Sequence, residues 1–172
     1  MAESILNGKS IMAVDDEPDV LEVLEEELLS SAPKCKFDKV TSYFEAYKKL
    51  GSKHYDVVIL DIMGIRGFHL LDLAVKRNLL VTMLTAHSLN PESLKRSIEK
   101  GARAYLPKEK LGEIVPFLED VLEESEFLKG WARLMKQLGR YFSARWGRDW
   151  QKPEAVFWKE FEKKTSHIKR RA

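Results

Sequence analysis

Five times along this chain a short strand-like run, apolar in four of the five, is followed by a segment with apolar residues at helical spacing, and that alternation leaves few folds open. The runs are residues 11–14, 37–40, 57–60, 81–84 and 104–106; the helical segments are 18–31, 43–50, 68–76, 91–100 and one beginning near Glu113. Pro18, behind Asp16 and Glu17, marks the first helix start, and Ser31-Ala32-Pro33 ends it. Central runs such as Val57-Val58-Ile59-Leu60 show no polar alternation, which suits strands covered by helices on both faces. Right-handed crossovers between such strands give an α/β fold, a five-stranded parallel doubly wound sheet. Ligands of these sheets collect at the carboxyl ends of the strands.

Four runs end at that edge in polar residues of a particular kind. Asp15, Asp16 and Glu17 follow the first, Asp61 the third, Thr85 the fourth, and Lys108, behind Pro107, the fifth. The carboxylates of Asp15, Asp16 and Asp61 would repel one another strongly at close range unless protonated or given a cation. Oxygen ligands with no His or Cys nearby in sequence suit Mg2+, which could neutralise charge on a phosphoryl group. Asp61 is the candidate nucleophile, since a carboxylate can attack phosphorus to form an acyl phosphate. Lys108 supplies a point charge, the Thr85 hydroxyl a neutral donor, and Ala86 leaves room for the incoming group.

These residues resemble the receiver domain of bacterial response regulators. The resemblance rests on Val14-Asp15-Asp16-Glu17-Pro18-Asp19, on Tyr55-Asp56-Val57-Val58-Ile59-Leu60-Asp61, on Gly67-Phe68-His69-Leu70-Leu71, on Leu84-Thr85-Ala86-His87 and on the segment from Gly101 to Lys108, in that order over about residues 8–125. It implies a flavodoxin-like receiver phosphorylated on Asp61 by a sensor histidine kinase or a phosphotransfer protein. Mg2+ would be held by Asp16, Asp61 and the backbone carbonyl of Met63, with Asp15 helping through water. Thr85 would swing toward the phosphoryl group, Tyr105 would change rotamer at the surface of the fourth helix, fifth strand and fifth helix, and Met63 and His87 would tune self-dephosphorylation. A receiver of this kind is not an enzyme in its own right. One departure stands out: receivers commonly have Met-Pro after the phosphorylated Asp and a Gly eight residues beyond it, whereas Asp61-Ile62-Met63-Gly64-Ile65-Arg66-Gly67 lacks the Pro and reaches Gly67 in six.

With 172 residues the chain holds one well-buried domain and an appendage. The receiver is expected over residues 1–125, and 126–172 forms a helical extension, continuous with the last receiver helix. Charge separates the two. Residues 1–126 carry 16 Lys and Arg against 23 Asp and Glu, a net of −7, and residues 127–172 carry 13 against 4, a net of +9. Apolar residues Phe117, Val121, Leu128, Trp131, Met135, Leu138 and Phe142 recur in steps of three and four, apart from a gap at Glu124, so a helix of about thirty residues would project an apolar seam. The seam would seek a partner, and a homodimer is the first expectation. A second short helix is read over 153–164. All four tryptophans lie in this tail among its basic residues; their bland role is folding the tail, and the sharper alternative is a nucleic-acid surface, not favoured because no recognition unit is found.

Other features exclude functions. Gly8-Lys9-Ser10 would need a Gly where Glu3 stands to be a phosphate-binding P-loop. A haloacid-dehalogenase-type phosphatase needs Asp-x-Asp at its nucleophile, and Asp61-Ile62-Met63 does not supply it. His54, His69 and His167 read as surface residues, and Cys35, the single cysteine, as a packing residue. No stretch is long and apolar enough for a membrane span or a signal peptide, so a cytoplasmic protein is expected.

Overall fold

The sheet forms because the β-branched and aliphatic runs of four of its strands are buried, while the edge strand over Lys36–Val40 is mostly exposed or half-buried. In the computed structural model, which describes residues 2–171, strands β1 (Ser10–Val14), β2 (Lys36–Val40), β3 (Val57–Asp61), β4 (Leu80–Thr85) and β5 (Ala104–Pro107) make one sheet in the order β2-β1-β3-β4-β5. All four pairings are parallel. Helices α1 (Pro18–Ser31), α2 (Tyr43–Ser52), α3 (Gly67–Lys76), α4 (Pro91–Glu99) and α5 (Ile114–Glu123) make the crossovers and the final cover. The step from β1 to β2 runs opposite to every later step, so right-handedness puts α1 on one face and α2, α3 and α4 on the other. Accordingly α1 packs with α5, and α2 with α3.

Local chemistry sets the helix starts. Ser42 and Asn90 accept the amides of Glu45 and Ser93, and prolines occupy the first turns of α1 and α4. The short segment after β3 is different: Gly64 has φ 86° and Arg66 φ 53°, so the chain turns sharply into α3 at Gly67. Cys35 is buried beside β2, while His54 and His69 are exposed; the side chain of His167 lies outside the described residues.

The tail departs from the expected single long helix. α5 stops at Glu123, Glu124 and Glu126 are extended, and a separate 20-residue helix, α6 (Phe127–Trp146), begins after them. It folds back over β5 and the groove between α4 and α5. Trp131, Ala132, Leu134, Leu138 and Phe142 are buried there, the Trp131 indole donates to the carbonyl of Ala102 at 2.9 Å, and Arg145 reaches Glu109 of the 3-10 turn Lys108–Glu113. The reason is energetic. A continuous helix would leave these side chains in water, and fully burying each large apolar one is favourable by about 1.5–3 kcal/mol, whereas breaking the helix gives up only a few hydrogen bonds of about 1 kcal/mol each. β5 is an edge strand, and α6 covers it. The seam on which a homodimer through the C-terminal helix was expected to form is therefore occupied by the chain's own receiver.

The last helix, α7 (Ala155–Arg171), follows the 3-10 turn Lys152–Glu154 and packs on α6, extending beyond the expected 153–164. An aromatic row joins the layers: Phe142 stacks on Trp146 at 4.7 Å, Trp146 meets Trp150 at 5.2 Å, and Trp150 meets Trp158 at 4.9 Å. Trp131, Trp150 and Trp158 are buried, which leaves their faces unavailable for stacking on bases.

Candidate functional site

Pairing register places the site. β1 and β3 lie side by side in the middle of the sheet, with Val14 opposite Leu60 and Asp61 opposite Leu84, so the residues just past them converge. Asp15 and Asp61 are buried and Asp16 is exposed, and one carboxylate oxygen from each lies within 4.8 Å of the others. Lys108, emerging from β5 behind Pro107, sends Nζ to 2.8 Å from Asp15 Oδ2, 2.9 Å from Glu17 Oε1 and 3.4 Å from Asp61 Oδ1. Glu17 was visible in the acidic run, but its partnership with Lys108 was not legible. His87 is exposed, its Nε2 4.0 Å from the same Glu17 oxygen.

One ammonium against four carboxylates leaves the site strongly negative. Burial first, then the charges of Asp15 and Asp16, push the Asp61 carboxyl up to about 7 against the pull of Lys108. Burial likewise raises Asp15 despite its bond to Lys108, whereas the exposed Glu17 is lowered by hydrogen bonding to that lysine. Burial disfavours the Lys108 ammonium, but its bonds to Asp15 and Glu17 outweigh this and raise it well above the ordinary lysine range. Burial is the larger cause of that rise, and it is the count of charges, one ammonium against four carboxylates, that leaves the site short of positive charge. The donors are hard oxygens at short mutual distance, and this set fits a magnesium ion.

The remaining predicted residues surround the cluster. Thr85 ends β4, fully buried, and its Oγ1 accepts the amide of Ser88 at 3.0 Å; Ala86 is exposed beside it. Met63 is 53 % exposed. Tyr105 is fully buried, its hydroxyl 2.7 Å from Ser93 Oγ and its ring 6.0 Å from Phe142 of α6. The shortened loop is built on two glycines. A Cβ on Gly64 would stand 2.4 Å from Asp16 Oδ2, and one on Gly67 would strike the Asp61 carbonyl. Gly64 and the Ser88–Ser93–Tyr105 network escaped sequence reasoning; for Gly64 the signal was a glycine inside a loop that had lost two residues.

A family model described as the response regulator receiver domain matches residues 11–118. The chain belongs to the response regulator receiver family. This receiver is 39 % identical over 108 residues to the two-component response regulator ARR18 of Arabidopsis thaliana, a match covering 59 % of this chain and 16 % of that protein. It thus spans about a sixth of that relative. Among solved structures, a signal receiver domain of a DNA-binding response regulator from Colwellia psychrerythraea 34H superposes with a TM-score of 0.61 at 23 % identity, over 67 % of this chain and 99 % of that one. A CheY-like receiver from Methanospirillum hungatei JF-1 does so with 0.57 at 21 %, over 69 % and 98 %. The five-stranded fold is thus that of receivers, with α6 and α7 added, and the protein is a receiver of two-component signalling. None of its described helices is long and apolar enough to cross a membrane.

Proposed function

We propose that this receiver is a phosphoacceptor, with Asp61 taking a phosphoryl group from the phosphohistidine of a sensor histidine kinase or phosphotransfer protein in the cytoplasm. A carboxylate oxygen of Asp61 attacks phosphorus, the phosphorus–nitrogen bond breaks, and the imidazole leaves with its electron pair and takes up a proton. The product is an aspartyl phosphate. Asp15, Asp16, Asp61 and the carbonyl of Met63 would hold magnesium, which when bound neutralises charge on the phosphoryl oxygens. Lys108 shifts from its carboxylates to a phosphoryl oxygen, and the Thr85 hydroxyl donates to another. Met63, beside the site, hinders the water that would release phosphate, and His87 modulates that step.

The observation that carries this reading is the convergence of Lys108 Nζ on both Asp15 and Asp61 within 3.4 Å, in a site short of positive charge. Its output is a protein contact with a partner or a second copy, and use of the C-terminal helix for a homodimer requires α6 to leave its groove. The nucleic-acid alternative loses three of its four tryptophans to burial, and the fourth, Trp146, is half-buried and stacked on Phe142. Labelling with a small phosphodonor tests the acceptor: wild type should be labelled only with Mg2+, and Asp61→Asn not at all. Equal labelling of both proteins would refute the assignment.

A further inference from the structure

The turn after Asp61 lacks both the proline and the length common in receivers, so its shape has to be held from elsewhere. Its neck is tight. The Gly67 amide donates to the Ile62 carbonyl at 3.2 Å, and Gly67 lies so close to the Asp61 carbonyl that a Cβ would not fit between them. Ile62 and Ile65 are buried and anchor the turn from below. The outer end is a different matter. Arg66 closes the turn at φ 53° and ψ 53°, a left-handed conformation that a residue with a side chain rarely keeps without support.

That support comes from α2. The Arg66 guanidinium lies over the half-buried ring of Tyr43, 4.6 Å from its centroid, inside the range at which an aromatic face attracts a cation. The Tyr43 hydroxyl meets Nδ1 of His69, in the first turn of α3, at 2.6 Å, and this fixes the way the ring faces. Tyr43 is itself the first residue of α2, directly behind the Ser42 cap, so its backbone is set before the ring reaches out. From Arg66 the acidic edge is only two residues away. Gly64 lies so close to Asp16 that a Cβ there would collide with the carboxylate.

We propose that Tyr43 is a positioning residue for the magnesium site: by holding Arg66 in its left-handed conformation it fixes the tip of the turn, Met63 and Gly64, against Asp16. The proposal rests on the reading that this edge binds magnesium. Tyr43 acts through Arg66 and not on the ion. A turn already in shape loses little freedom when the ion arrives, whereas an untethered one has to be ordered at that step, and affinity falls by the cost of ordering it.

The test titrates the full chain with Mg2+ by calorimetry and follows exchange of the Gly67 amide in chelator. Tyr43→Leu removes the ring. Arg66→Asn removes the cation but leaves a residue that tolerates the left-handed turn. Each should weaken Mg2+ binding by about two- to fivefold, the size of an exposed cation–π contact, and each should speed Gly67 exchange in the absence of metal. The double variant should lose no more than either single one, because both substitutions remove the same contact; unrelated damage would add. Losses that add, or Mg2+ affinity and Gly67 exchange left at wild-type values by both substitutions, would overturn the role of Tyr43 and leave Asp61 standing as acceptor. A wild type that takes up no Mg2+ would overturn the magnesium reading together with the proposal.

Discussion

Gly64 stands where the shortened loop meets the acidic edge of the sheet, and its hydrogen in place of a side chain is what lets Asp16 keep its position. Its φ of 86° and the 2.4 Å separation between a built Cβ and Asp16 Oδ2 make two separate demands for glycine. Gly64→Ala is expected to displace the Asp16 carboxylate and weaken Mg2+ binding by about tenfold, equivalent to about 1.4 kcal/mol, as read by calorimetric titration. An unchanged affinity would show that the loop does not position Asp16. Asp61 gives a second prediction at this scale. An aspartate in an unfolded chain ionises near about 3.9, and in the metal-free fold Asp61 is pushed up to about 7. Between these values the native state binds more protons than the unfolded state, so stability falls as pH rises, and this contribution levels off above about 7. The melting temperature in chelator should therefore decline between about pH 5 and pH 7. Asp61→Asn should flatten the decline, and a slope that survives the substitution would assign it to other groups.

At the scale of elements, the strands and their endings were legible because buried parallel strands leave an unbroken apolar run, and because Asp15, Asp61, Thr85 and Lys108 each stand directly behind one. The tail was legible only as a helix with an apolar stripe. Spacing in steps of three and four says that a face will be buried, not against what, and its gap at Glu124 reads equally well as one polar position in a continuous helix. The break depends on tertiary contacts, chiefly Trp131 reaching Ala102 and Phe142 reaching Tyr105. The two readings of residues 124–126 differ in what proline does there. Glu124 is extended, at φ −92° and ψ 108°, and among the described residues the amide of Ser125 donates to no backbone carbonyl. Ser125→Pro should thus leave the melting temperature within about 2–4 °C of wild type, whereas a proline inside a continuous helix would cost about 3 kcal/mol or more. A drop of about 6 °C or more would argue for a helix running through residue 125.

For the whole molecule, the open point is what holds a tail of net +9 against a receiver of net −7. Opposite charge suggests electrostatics, but the pairs that form are peripheral. Arg133 lies 3.2 Å from Asp120 and 4.0 Å from Glu124, Arg145 lies 3.8 Å from Glu109, and both arginines are exposed. Exposed pairs of this kind contribute about 0–1 kcal/mol each and are screened by salt. The aromatic layer is of another order: Trp131 and Phe142 are fully buried, and truncating such a side chain costs about 3–5 kcal/mol. Packing therefore wins, and charge serves to steer the tail to the correct face. Raising the ionic strength from millimolar to molar should shift the melting temperature by no more than about 2–4 °C, while Trp131→Ala at constant salt should lower it by about 10 °C. Selective loss of amide protection in α6 at high salt, with the sheet intact, would reverse the ranking and make the charge separation the glue instead of the guide.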